Sequence, residues 1–233
     1  MKRKIELFMI LFLLMGAIVA SWKLSELTAN VSEEEKKDQV VIVVDPGHGG
    51  EDPGKVGIND VLEKDLNLQI AKKVKKLLEE AGIKIVMTRT NDKVPDAKKE
   101  DLNQRVQLIN ETKPTLALCI HQNSSPDEKI KGAQVFYHTI TPEAEDVATI
   151  VQEQLRTVDP TNTRQIKEND TYFMLKNCQV PTIIVECGFL TNPEEAAKLT
   201  QEEYQDQIAQ AICEGVVKWL SGGAEGEADT EKE

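Results

Sequence analysis

Three stretches of this chain are apolar on consecutive residues rather than on alternate ones: QVVIVVD (Gln39 to Asp45), PTLALCIH (Pro114 to His121) and PTIIVECGFL (Pro181 to Leu190). A strand reads that way when both of its faces are covered. Between them the pattern changes to helical spacing. LEKDLNLQIAKKVKKLLEEAG places Leu62, Leu66, Ile70, Val74 and Leu77 three or four apart and stops at Gly82, as an amphipathic helix does. VPDAKKEDLNQRVQLIN carries Leu102, Val106 and Ile109 on one face and predicts a helix from about Asp96. PEAEDVATIVQEQLRTV predicts another, and NPEEAAKLTQEEYQDQIAQAICEGVVKWL predicts two more. IKIVMTR and KGAQVFYH add two strands. Strands alternating with helices predict an α/β layer structure on a mostly parallel sheet. Right-handed crossovers then bring the C-terminal ends of the strands to one edge, where open α/β sheets bind ligands.

The 233 residues favour one folded domain with trimmed ends. MKRK followed by LFMILFLLMGAIVA (Leu7 to Ala20) has the basic and apolar regions of an export signal. The apolar run falls short of the roughly 20 residues of a membrane span unless Ser21, Trp22 and Leu24 are added. Residues 1–24 are therefore expected to be a signal peptide or signal-anchor, with the remainder outside the cytoplasm and membrane association only through this segment. A charged linker is expected over 25–39, the folded domain over 40–221 and an acidic disordered tail over 222–233. The net charge of −12 and the lack of a later basic block exclude a nucleic-acid partner. Cys119, Cys178, Cys187 and Cys213 lie among apolar residues with no CxxC spacing, so buried free thiols are expected rather than a metal cluster.

Four polar residues belong to the ligand edge. His48 follows the first strand in a glycine-rich loop, DPGHGGEDPG, and Glu63 opens the helix after it. His121 ends the third strand, and Glu186 follows the apolar run PTIIV, where a carboxylate is costly without a cation or a proton. Each has a bland reading: a turn histidine, a strand-end histidine, or a first-turn glutamate favoured by the helix dipole. Together, two histidines and a carboxylate suit a catalytic zinc with one open position. A second carboxylate suits the base that takes a proton from water. The expected set is His48, Glu63 and His121 on the metal and Glu186 as base.

Two other chemistries fit poorly. GGEDPGKV puts Gly49, Gly54 and Lys55 in register with a phosphate-binding loop, but Val56 stands where a magnesium-binding hydroxyl is required. Glu51 and Asp52 would also repel phosphates. Ser124 and Ser125 lie beside His121, yet no strand–GxSxG–helix elbow is present.

VVDPGHGGEDPG, LEKDLNL, LNQRVQLIN, CIHQNSS, KGAQVFY and VECGFLTNPEE follow one another in an order that resembles the zinc-dependent N-acetylmuramoyl-L-alanine amidases, over about residues 40–220. The resemblance implies a single three-layer α/β/α domain on a six-stranded sheet and one zinc per chain. It implies cleavage of the amide between the lactyl group of muramic acid and L-alanine in peptidoglycan. It carries the ligand roles onto His48, Glu63 and His121 and the catalytic role onto Glu186. Arg105 and Asn123 match polar family positions and are expected to orient substrate or to brace the scaffold. A short leader before a bare catalytic domain most resembles the germination-specific, spore-cortex amidases, with a general secreted autolysin or cell-separation amidase as the alternative. A non-catalytic peptidoglycan-binding scaffold is the rival class, and an activating partner protein is an expectation from family habit.

Overall fold

The computed structural model describes residues 40–222 together with Ser21 and Lys23. The expected leader, linker and acidic tail otherwise lie outside the described residues, so those boundaries remain expectations. No helix among the described residues is long and apolar enough to cross a membrane.

The strands are β1 (Val41–Pro46), β2 (Lys84–Met87), β3 (Leu116–Asn123), β4 (Gln134–Tyr137), β5 (Lys167–Glu168) and β6 (Thr182–Phe189). The helices are α1 (Glu63–Glu80), α2 (Lys98–Thr112), α3 (Glu143–Val158), α4 (Phe173–Asn177), α5 (Pro193–Leu199) and α6 (Glu202–Gly222). The strands form one six-stranded sheet in the order β2-β1-β3-β6-β4-β5. Every pairing is parallel except β4 with β6, which is antiparallel. The expected α/β class and mostly parallel sheet are therefore the observed ones. The expected helices are present within one or two residues of their boundaries. The two-residue β5 and the five-residue α4 carry too little periodicity to be legible in the sequence.

Alternation along the strands sorts side chains to the two faces. Ile42, Val44, Leu116, Leu118, Ile120, Ile183 and Val185 face a core closed by α1, α3 and α6. Val43, Ala117, Cys119 and Ile184 face a smaller core closed by α2 and α4. Gly215 of α6 lets α3 approach closely, since a Cβ there would lie 2.8 Å from Val151 Cα. α1 ends at Gly82 (φ +83), where the Gly82 and Ile83 N–H groups donate back to Glu79 and Leu78, a turn that suits glycine. α5 is capped by Asn192, whose side chain accepts from the Glu194 and Glu195 N–H groups ahead of Pro193. All four cysteines are buried free thiols, as expected.

The connection after β1 goes to β2 on one side, and the chain then returns to β3 on the other side of β1. That reversal opens a crevice beyond the C-terminal ends of β1 and β3.

Candidate metal centre

The crevice is reached by the loop after β1, by the first turn of α1 and by the ends of β3 and β6. His121 pairs with Glu186 across β3 and β6 in parallel register. Both have the strand parity of Cys119 and Ile184, so they leave the sheet on the α2/α4 face as neighbours. A register shift between His121 and Asn123 follows, with Cys187 and Gly188 on the longer strand.

His48 is held where a side chain rarely sits, at φ +61. Two buried arginines fix the backbone around it. Arg89 Nε donates to the Pro46 carbonyl (2.9 Å), and its Nη2 donates to Gly47 (2.9 Å) and Lys64 (2.8 Å). Arg105 Nη1 donates to the Pro46 carbonyl (2.7 Å), and its Nη2 donates to that of His48 (2.6 Å). The glycines of this loop make room for the site itself. A Cβ on Gly47 would fall 2.1 Å from the His121 ring, and one on Gly54 would fall 2.5 Å from Glu63 Oε2.

Glu63 joins the two histidines. Its Oε1 lies 3.3 Å from His48 Nε2 and 3.0 Å from His121 Nδ1, and it accepts from the Gln122 N–H at 3.1 Å. Its Oε2 accepts from the Lys55 N–H at 2.8 Å. The imidazoles meet edge-on, with centroids 5.0 Å apart and planes at 77°. One ligand atom from each of His48, Glu63 and His121 lies within 4.8 Å of the others. Burial would raise the Glu63 carboxyl, but hydrogen bonds and charge from His121 and His48 outweigh it and hold the group far below the usual range. Burial disfavours a charged His121, and the Glu63 carboxylate beside it raises the imidazole nonetheless.

Glu186 is 7% exposed, and its Oε2 has no hydrogen-bond partner. Burial, with the Glu63 charge adding to it and His121 opposing, pushes its carboxyl up to about 7. A carboxylate in that condition lacks a cation, and a divalent ion beside it would draw its pKa back down. Two imidazole nitrogens, one carboxylate oxygen and an unpartnered buried carboxylate in the same cleft fit a catalytic zinc. The four residues line a cleft of about 410 Å³ with Lys98, Asn123, Tyr172 and Phe173 on its walls.

The remaining two expected site residues differ in position. Asn123 lines the cleft, with its Oδ1 accepting from the Ser124 N–H. Arg105 is 4% exposed and does not reach the cleft. Its guanidinium pairs with Asp45 and Asp101 on the inner side of the His48 loop. Sequence reasoning missed Arg89, Asp52 and Asn67. Asn67 donates to the Gly47 carbonyl at 3.1 Å, one turn along from Glu63. Arg89 ends the IKIVMTR run, and the rule that drew attention to His121 and Glu186 at strand ends would have drawn it to Arg89 as well.

Residues 42–218 match the family described as N-acetylmuramoyl-L-alanine amidase. The germination-specific N-acetylmuramoyl-L-alanine amidase of Bacillus subtilis is 39% identical over 78% of this chain and 80% of its own. Among solved structures, the CwlD amidase of Clostridioides difficile, in complex with the GerS lipoprotein, superimposes with a TM-score of 0.76 at 35% identity, over 78% of this chain and 99% of its own. The catalytic domain of CwlV from Bacillus (Paenibacillus) polymyxa gives 0.71 at 29% identity, over 78% and 99%. With the family match spanning nearly all of the described residues, this chain belongs to the N-acetylmuramoyl-L-alanine amidases.

Proposed function

We propose that this chain is a zinc-dependent amidase that hydrolyses the bond between N-acetylmuramic acid and L-alanine in peptidoglycan. The observation that carries the reading is the buried, unpartnered Glu186 oxygen in the same cleft as a cluster of two imidazoles and a carboxylate. His48, Glu63 and His121 would hold the ion. Zinc in such a set lowers the pKa of water toward about 7 and polarises a carbonyl. Glu186 takes one proton from the water that attacks the lactyl carbonyl, then returns it to the L-alanine nitrogen as the amide C–N bond breaks. Asn123 and Tyr172 on the cleft walls stand where they could contact a bound stem.

A role in removing stems from spore-cortex peptidoglycan during germination is supported by the B. subtilis relative and by the C. difficile neighbour. That neighbour's complex with a lipoprotein supports a partner protein for this chain also. A basic and apolar leader supports export, with residues 40–221 as the catalytic domain. The test is incubation of the purified chain, with and without added zinc, on cortex and on vegetative peptidoglycan. Free L-alanine amino termini and intact muramoyl products, identified by mass, support the reading. Products cut elsewhere in the stem, or none at any zinc level, would refute it. A preference for vegetative wall would favour a general autolysin.

A further inference from the structure

We infer that Asp52 is the positioning residue of this metal centre, holding the loop-borne His48 in the one tautomer and orientation that turn its Nε2 toward Glu63 and His121. The inference rests on the metal reading above and adds a residue to it. Asp52 Oδ2 lies 2.9 Å from His48 Nδ1, while Nε2 at the far side of the ring faces Glu63 Oε1 at 3.3 Å. An ionised carboxylate only accepts, so Nδ1 carries a proton toward Asp52, and Nε2 is the nitrogen that gives up its proton to a metal in the cluster.

Asp52 is itself held firmly. Its backbone exchanges two hydrogen bonds with Gly49, both 3.0 Å. Its Oδ1 accepts from the Gly54 N–H at 3.1 Å, and its Oδ2 also takes the Lys98 ammonium at 2.9 Å. Held by the Gly49, Gly54 and Lys98 contacts together, the carboxylate has little freedom to turn away from the His48 ring.

The two histidines differ in what orients them. His121 stands on β3 with its ring packed over Gly47, so closely that a Cβ there would lie 2.1 Å from Cε1 and Nε2. It presents Nδ1, not Nε2, to Glu63. His48 sits on a loop at φ +61 with no strand beneath it. Rotation of its ring by half a turn would exchange carbon for nitrogen at the cluster, and the Asp52 bond opposes that rotation. Carboxylate support of a ligating histidine is commonly worth 10–100-fold in metal affinity.

The test uses the purified chain and its Asp52→Ala and Asp52→Asn variants, with zinc affinity measured by competition against a chromophoric chelator. Asp52→Ala should bind zinc about 10–100-fold more weakly. Asp52→Asn, which keeps a neutral acceptor and the loop's shape, should fall between, and it serves if the alanine variant does not fold. The chain has three histidines, so ¹⁵N spectra of labelled imidazoles report the tautomer of each before zinc is added. His48 should carry its proton on Nδ1 in the parent and become a mixture in Asp52→Ala. A merely structural Asp52 would lower the melting temperature and leave the tautomer and zinc constant of the folded protein unmoved, which overturns the inference. Equal zinc affinity in parent and variants overturns it too and leaves the metal centre standing. A parent that binds no zinc refutes the metal centre itself, a separate outcome.

Discussion

Replacing Arg105 with methionine removes the one guanidinium that pairs with Asp45 on the inner side of the His48 loop. Asp45 is 1% exposed, and Arg105 Nη1 lies 2.9 Å from its Oδ1. Without Arg105, the carboxylate keeps only the Thr88 hydroxyl, and the Pro46 and His48 carbonyls each lose a charged donor. Breaking a buried pair from one side costs about 3–5 kcal/mol. For a domain of this size each kcal/mol is worth roughly 2–4 °C, so the melting temperature should fall by about 6–20 °C at pH 7. The pH dependence has a definite sign. Burial raises the Asp45 carboxyl, but Arg105 and the Thr88 and His121 groups outweigh it and hold it below its ordinary value. Its stabilisation is therefore fully present above the unfolded value of about 3.9 and is lost as pH falls through the lower, folded one. In Arg105→Met the largest influence opposing burial is gone, the carboxyl moves up, and where it rises above its unfolded value the variant loses stability as pH rises instead. The deficit against the parent should be largest at pH 7 and shrink toward pH 4. Adding Asp45→Asn to Arg105→Met should recover part of the loss, since no buried charge is then left alone. Calorimetric melting of the three proteins across this range reads both effects. A loss under about 1 kcal/mol at pH 7, or a deficit that does not change with pH, would refute the reasoning.

Other consequences are as direct. Glu186→Gln should retain zinc by metal analysis and lose about 10²–10⁴-fold in turnover; parent-like hydrolysis of peptidoglycan would remove Glu186 from the chemistry. His121→Ala takes away one of three ligand atoms, and its zinc content after dialysis should fall well below one per chain. Gly54→Ala puts a Cβ 2.5 Å from Glu63 Oε2 at φ +66. It should lose at least about 1–2 kcal/mol from the backbone alone and weaken zinc binding by displacing Glu63, both measurable in one thermal titration with metal.

How much of this was legible beforehand varies residue by residue. The covered strands announced themselves because burial on both faces requires continuous apolar residues, and His121 and Glu186 stood out because each interrupts such a run at its end. Asp52 did not stand out. In the sequence it is one acid among several in a glycine loop, and only the left-handed turn at His48 brings it back onto the ring four residues earlier. Arg105 was recognised as a special position, but burial behind the loop, not in the cleft, could not be read from helical spacing. Arg89 also stands at a strand end, where the same rule would have found it, but only the fold shows that it donates to the Pro46, Gly47 and Lys64 carbonyls.

The chain's order of residues by itself determined the α/β class, the parallel core strands and the inventory of donors at one edge, because periodicity and burial are local properties of a strand or a helix. Tertiary structure alone decided that β3 and β6 lie side by side in a register pairing His121 with Glu186, and that Glu63 reaches both imidazoles. Those contacts join residues 15 to 65 positions apart. They depend on strand order and on the closeness of loop backbones, neither of which has any signature in local spacing.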